Sequence, residues 1–305
     1  MEILHLEQIS SLPQPTIVTI GMFDGFHVGH RQLVGNLLQL ADKTGLEPMV
    51  VTFDRHPRSV VDKDRVPQLL STDAERMALI EGSGVPRVTV VHFTPELASM
   101  SACSFARQLH ARLAMQGLLL GYDNQFGSRL HNDFDQLPAL AQSLHFAIYR
   151  DTAVIMHDVE VSSTKIRHAL AEGRLKQAND MLARPYSITG TVVHGRHVGS
   201  TLGFPTANVR LDGGKVLPLA GVYAAVATLD GRSYKAMANL GPQPTFGQEQ
   251  MALEVHLLDF EGDIYGRQLQ VAFVARLRDI CHFDSTEVLM NQLEHDKKRI
   301  VDLNM

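Results

Sequence analysis

Two histidines three residues apart are the first groups in the chain equipped for chemistry. They close a glycine-punctuated run, GMFDGFHVGH, in which Gly21, Phe23, Asp24 and Gly25 precede His27 and His30. The run lies between a β-branched apolar segment, Thr16–Ile20, and a segment with Leu33, Val34, Leu37, Leu38 and Ala41 at helical spacing. A strand that leaves through glycines lets backbone approach a ligand closely. The helix that follows offers free N–H groups and a partial positive charge, which suit a phosphate. Imidazoles at i and i+3 share one side of a helix start and can donate hydrogen bonds to oxygens that gain charge in a transition state. The competing reading is a pair of surface or capping histidines; zinc would require further ligands, and no cysteine is near.

Two other clusters carry similar chemistry. Ser163, Thr164, Lys165 and Arg167 (in VSSTKIR) place hydroxyls and cations at the start of a second predicted helix. Cations there oppose the helix dipole, a cost that an anion between them would offset; an ordinary Ser/Thr cap is the alternative. Further on, GFPTAN contains Gly203, Pro205, Thr206 and Asn208. Hydroxyl and amide oxygens are donors that a hard cation such as Mg²⁺ accepts, although a plain turn between strands accounts for the same letters. The segment ALEVHLLDF alternates as a strand, so Glu254 and His256 share one face while Val255 and Leu257 share the other. Glu254 could take the proton of an attacking hydroxyl, or be a rim carboxylate.

These groups need a scaffold. With 305 residues, the length favours two domains at roughly 150 residues each. Apolar strand segments (Thr16–Ile20, Pro48–Phe53, Val88–Phe93, Gly117–Tyr122, His145–Tyr149) alternate with helical ones (Asp73–Glu81, Ser104–Met115, Leu137–Ser143). That pattern predicts a mostly parallel sheet covered on both faces. Near 184/185 it gives way to short strands separated by Gly and Asp turns, which predicts an antiparallel sheet closing into a small barrel, then a helix over Thr286–Leu303. The expected domains are therefore 1–184 and 185–305. A net charge of −5 argues against a general nucleic-acid binder. No run approaches 18 apolar residues, so no membrane helix is expected. The opening residues lack the features of a secretory signal. Two distant cysteines, Cys103 and Cys281, read as reduced thiols of a cytoplasmic protein.

GMFDGFHVGHR and VSSTKIR resemble the two signature motifs of HxGH-type nucleotidyltransferases. With TFDRHP (52–57) and GYDNQFG (121–127), they resemble the FMN adenylyltransferase domain of bacterial bifunctional FAD synthetases. TLGFPTAN, GVYAA (221–225), NLGPQPTFG (239–247), EVHLLDF and DIYG (263–266) resemble that family's riboflavin kinase domain. The resemblance covers essentially the whole chain. It implies an α/β, Rossmann-like nucleotidyltransferase domain, then a small antiparallel β-barrel kinase domain with a C-terminal helix. It implies phosphorylation of riboflavin to FMN with ATP and Mg²⁺, then adenylation of FMN to FAD with release of pyrophosphate, with these small molecules as partners and no protein, nucleic acid or membrane implied. His27 and His30 would hold the ATP phosphates, and Ser163, Thr164 and Arg167 the triphosphate from the other side. Gly21, Phe23, Asp24 and Gly25 would form the nucleotide loop, and Asp123 would contact nucleotide or flavin. Gly203 and Pro205 would shape the kinase loop, Thr206 and Asn208 would contact Mg²⁺ and ATP, and Glu254 would be the base on the riboflavin 5′-hydroxyl. Leu289, Gln292 and Asp296 match the last helix. Asn124-Gln125, Ser200 and Ile280 depart from the family pattern. The rivals are an adenylyltransferase with a weak or inactive kinase barrel, a non-catalytic flavin or nucleotide sensor, and a nucleotidyltransferase with another substrate.

Overall fold

The computed structural model describes residues 1–62, 66–122, 126–128, 133–156, 158–195, 203–211, 213–245 and 248–304, with backbone only at 243–245 and 248–250. They form two compact units, Met1–Ser163 and Thr164–Met305.

The first unit runs β1 (Glu2–His5), β2 (Thr16–Ile20), α1 (Val28–Thr44), β3 (Glu47–Phe53), α2 (Arg58–Val61), α3 (Asp73–Glu81), β4 (Arg87–Val91), α4 (Pro95–Ser99), α5 (Ala102–Leu113), β5 (Met115–Leu120), α6 (Leu137–Leu144) and β6 (Ala147–Arg150). A two-stranded hairpin of β7 (Ile155–Met156) and β8 (Val159–Glu160) follows. The six strands β1 to β6 are parallel, in the order β1-β4-β3-β2-β5-β6.

Every residue of β2 is buried, because both faces of the sheet are covered. Val18 and Ile20 pack with Phe105, Leu109 and Leu113 of α5 and Leu140 of α6. Ile17 turns the other way, to Leu33, Val34 and Leu37 of α1 and Ile80 of α3. A strand buried on both sides reads as a continuous apolar run. From β2 the chain steps outward to β3 and β4, then returns to β5 and β6 on the other side. The C-terminal end of β2 is therefore the topological switch point, where open α/β sheets bind ligands.

The second unit contains α7 (Ser163–Ala171, its first residue in the first unit), α8 (Leu175–Leu182), β9 (Tyr186–Val193), β10 (Ala207–Val209), β11 (Gly221–Leu229), β12 (Arg232–Thr245), β13 (Gln248–Leu257), β14 (Gln268–Arg278) and α9 (Thr286–Asp302). Its six strands close a barrel in the order β10-β13-β12-β11-β14-β9, and every neighbouring pair is antiparallel. The sequence pattern changes at 184/185, whereas the spatial division falls at 163/164. The reason is that α7 and α8 pack with the barrel: Leu219 N–H donates to the Leu170 carbonyl at 2.9 Å. In addition, Asn179 Nδ2 donates to the Phe273 carbonyl at 2.9 Å while its Oδ1 accepts from Tyr186 N–H at 2.8 Å.

Helix α9 covers one outer face of the barrel. Ile300 joins Val222, Ala224, Met237, Leu258 and Phe204 in an apolar cluster. Asp296, wholly buried, pairs with Arg278 of β14 at 2.8 Å and accepts from Gln292 Nε2 at 2.9 Å. Lys235 of β12 donates to the carbonyls of Val301 and Leu303, each at 2.8 Å, satisfying groups the helix leaves unpaired. Removing one partner of a buried pair leaves an uncompensated charge. Asp296→Ala should therefore destabilise the second unit by about 3–5 kcal/mol. In denaturant, the transition of that unit should move to lower concentration while that of the first stays in place; superimposable curves would contradict the assignment.

Candidate functional site

In the first unit, β2 delivers the chain into a strained turn. Phe23, Gly25 and Phe26 all have positive φ, at 54°, 74° and 38°, and Phe26 N–H closes the turn onto the Phe23 carbonyl at 3.0 Å. A left-handed non-glycine residue costs roughly 1–3 kcal/mol. Burying a phenylalanine side chain returns about as much, roughly 1.5–3 kcal/mol. Phe23 is 0% and Phe26 2% exposed, so their packing offsets the strain.

Asp24 clamps the turn. Its carboxylate accepts from the N–H groups of Leu70 and Ser71 at 3.0 Å and from Ser71 Oγ at 3.1 Å. Gly25 N–H donates to the same Ser71 Oγ at 3.0 Å. Ser163 Oγ donates to the Asp24 carbonyl at 2.9 Å, so the second predicted motif meets the first at this residue. Phe23 and Asp24, expected to form the nucleotide loop, are both buried and hold that loop through ring packing and carboxylate hydrogen bonds.

His27 caps α1, its Nδ1 accepting from His30 N–H at 3.3 Å. In the neutral ring the proton is therefore on Nε2. The rings of His27 and His30 are stacked, with centroids 3.7 Å apart and 16° between planes. Gly29 makes room for this arrangement, since a Cβ there would stand 3.2 Å from the His27 ring. Behind them Phe23 packs on His30 at 5.1 Å. Burial, with His27 adding to it, holds the His30 pKa well below its ordinary 6.5, so His30 is neutral at pH 7. Its Nδ1 is buried without a hydrogen-bond partner.

Beside this turn, at the same end of the sheet, lies a cavity of about 1030 Å³ lined by Gly21, Met22, Phe53, Phe93, Phe105 and Phe126 among others. Arg76 holds one wall. It is 1% exposed, pairs with Asp73 at 3.0 Å and donates to the Phe53 carbonyl at 2.8 Å. Sequence reasoning missed it, because an arginine on a helix reads as a solvated charge.

In the second unit the predicted residues form a row across three strands. Asn208 of β10 lies directly opposite Glu254 of β13, which lies directly opposite Asn239 of β12. Their neighbours Leu253 and Val255 point into the barrel and are buried, so by alternation Asn208, Glu254 and Asn239 occupy the outer face. Thr206 directly precedes β10, and Gly203 is left-handed at φ 79°. Gly195 is the counterpart of Gly29: a Cβ there would sit 2.0 Å from Asn208 Nδ2. Asn239, which opens the NLGPQPTFG segment but is not singled out there as a site residue, is placed beside the expected base by its register against Glu254.

The donors gathered here are hydroxyl, amide and carboxylate oxygens, which fit a hard cation such as Mg²⁺. Among the described residues no cluster of three or more His, Cys, Asp or Glu can hold a metal by itself. A cation at this place would complete its shell with water and substrate oxygens. Asp123, Asn124, Gln125 and Ser200 lie outside the described residues. Thr164 and Arg167 lie in α7 and belong to the second unit.

The FAD synthetase family model matches residues 9–165 and the riboflavin kinase model residues 182–303. The bifunctional riboflavin kinase/FMN adenylyltransferase of Pseudomonas fluorescens is 39% identical over 92% of this chain and 90% of its own length. The chain belongs to the bifunctional riboflavin kinase/FMN adenylyltransferase family. The family member of Escherichia coli K12 is 36% identical over 96% of the chain and 94% of its own, and that of Bacillus subtilis 34% over 94% and 92%. A crystal structure titled as a macrolide-efflux protein from Streptococcus pneumoniae matches this family member along 100% of both chains, at 30% identity and a TM-score of 0.90. Neither family model carries that title's efflux activity. Among the described residues no helix is long and apolar enough to cross a membrane.

The buried His30 sets a pH dependence. Its folded-state pKa lies well below the unfolded value of 6.5, so below pH 6.5 the unfolded chain takes up a proton that the folded chain refuses. Stability is then lost as pH falls from 6.5 towards the folded value, by at most about 1.4 kcal/mol per pH unit for this group. Denaturant unfolding of the first unit between pH 7.5 and 5 should be steeper in pH for the wild type than for His30→Asn; equal slopes would remove His30 as the cause.

Proposed function

We propose that this chain makes FAD from riboflavin in two steps, phosphorylating riboflavin to FMN in the barrel unit and adenylating FMN in the parallel-sheet unit, with ATP used in both. The observation that carries this reading is the presence of both constellations: stacked histidines at the switch point of the sheet, and the Asn208–Glu254–Asn239 row beside Thr206. Along the chain, we assign the adenylyltransferase to 1–184, since α7 carries its second motif, and the kinase to 185–305. The free thiols of Cys103 and Cys281 suit a reducing cytoplasm.

In the kinase step, Glu254 accepts the proton of the riboflavin 5′-hydroxyl as that oxygen attacks the γ-phosphorus of ATP, and ADP leaves. Thr206 and Asn208 hold Mg²⁺, which when bound offsets charge on the phosphate oxygens. Gly203 and Pro205 set the turn that presents them. Asn208 and Asn239 flank Glu254 on the two neighbouring strands.

In the adenylyl step, a phosphate oxygen of FMN attacks the α-phosphorus of ATP. The bond to the bridging oxygen breaks and pyrophosphate leaves. The protein supplies position and charge stabilisation. His27 donates from Nε2, which its capping bond leaves protonated. The neutral His30 has a buried, unpartnered Nδ1, and phosphate charge favours its protonation. Gly21 and Gly25 let backbone approach the nucleotide. By motif, Ser163, Thr164 and Arg167 bind the triphosphate and Asp123 contacts nucleotide or flavin. The aromatic-lined cavity takes the FMN ring system.

Two variants test the division of labour by chromatographic analysis of products. Glu254→Gln should lower FMN formation from riboflavin by about 10²–10⁴-fold and leave FMN-to-FAD conversion intact. His30→Asn should do the reverse, lowering FAD formation by about 10²–10³-fold with FMN formation retained. Loss of both activities in either variant would contradict two independent sites.

A further inference from the structure

We propose that His256 is a positioning residue for the kinase reaction, fixing the turn that carries Thr206 against the strand that carries Glu254. The inference rests on the reading of Thr206 and Asn208 as the Mg²⁺–ATP site.

The argument begins with a gap in the backbone ladder. Strand β10 pairs with β13 as Ala207 with Val255 and Asn208 with Glu254. One step back, Thr206 would stand opposite His256, but the ladder stops at Ala207. Pro205 has no N–H, and its ring fixes φ just ahead of the strand. Its carbonyl, next to a buried phenylalanine, still needs a donor.

His256 supplies that donor from its side chain. Its Nδ1 lies 2.8 Å from the Pro205 carbonyl oxygen. A carbonyl only accepts, so Nδ1 carries the proton. The same ring meets Phe204 edge to face at 5.2 Å. Both residues are buried, at 7% and 4% exposure. One imidazole therefore holds the two residues that immediately precede Thr206. Its own backbone is two residues from Glu254, on the same strand face. The hydrogen bond thus sets the spacing between base and metal-binding turn where the backbone ladder no longer does.

Two substitutions separate this role from space-filling. Asparagine can place its side-chain N–H where Nδ1 stands, whereas leucine fills the pocket with no donor. His256→Leu should raise the Mg²⁺ concentration for half-maximal FMN formation by tenfold or more and lower kcat by tenfold to a hundredfold. The KM for riboflavin should change less than threefold. His256→Asn should return both quantities to within about threefold of wild type. FAD formation from FMN, measured on the same preparations of the full chain, should be unchanged and reports the integrity of the first unit. Unaltered Mg²⁺ dependence in His256→Leu, or equal loss in the two variants, would overturn the proposal. Asn208→Ala tests the underlying reading separately. A raised Mg²⁺ requirement there with a wild-type His256→Leu would sink only the positioning role, while wild-type Mg²⁺ dependence in Asn208→Ala would sink the metal site itself.

Discussion

The adenylyltransferase half depends on holding nine residues of backbone, Gly21 to Gly29, where a relaxed chain would not go. Three of the four residues from Phe23 to Phe26 are left-handed. The strain is offset by two buried rings and by the bonds around Asp24. That turn puts His27 at the N-cap of α1 and stacks it on His30. The helix start then stands at the switch point of the sheet, next in the chain to the Gly21 and Met22 that line the cavity. Released from the clamp, the two imidazoles would lose the turn that seats them, and the proposed phosphate site would lose its shape.

The barrel unit solves a related problem with register instead of strain. Antiparallel pairing fixes Asn208, Glu254 and Asn239 side by side on the outer face. Glycine is again the permissive element, because Gly195 leaves the space that the Asn208 amide fills. Helix α9, tied down by the Asp296–Arg278 pair and by Lys235, closes the apolar part of that face. In both halves the proposed chemistry rests on few groups, and the surrounding turns, strands and helices fix their positions.

Much of this was legible in the sequence where a single physical signal dominated. Thr16–Ile20 and Asp73–Glu81 coincide with β2 and α3, since a doubly buried strand and a capped helix with Thr72 before it and Glu75 inside it leave plain marks. The motif glycines could be placed, but not their purpose: that Gly29 makes room for a ring and Gly195 for an amide depends on contacts across the fold. β1 was missed because four mostly exposed residues carry no periodicity. The last helix illustrates the limit of amphipathic patterns. Val288 counts as an apolar face residue yet is 52% exposed, while the charged Asp296 is fully buried because Arg278, 18 residues earlier, meets it. β12 runs on to Thr245 through Pro242 and Pro244. Beyond Leu240, among the described residues, it pairs with β13 alone, and a strand with one partner tolerates prolines.

The central claim is that one chain carries two working sites with different chemistries. The direct measurement is a product assay on the wild-type protein, incubated with ATP and Mg²⁺ and either riboflavin or FMN. The account predicts FMN followed by FAD from riboflavin, and FAD from FMN. FAD from FMN alone would contradict a working kinase in the barrel, and no product from either substrate would contradict the enzymatic reading altogether.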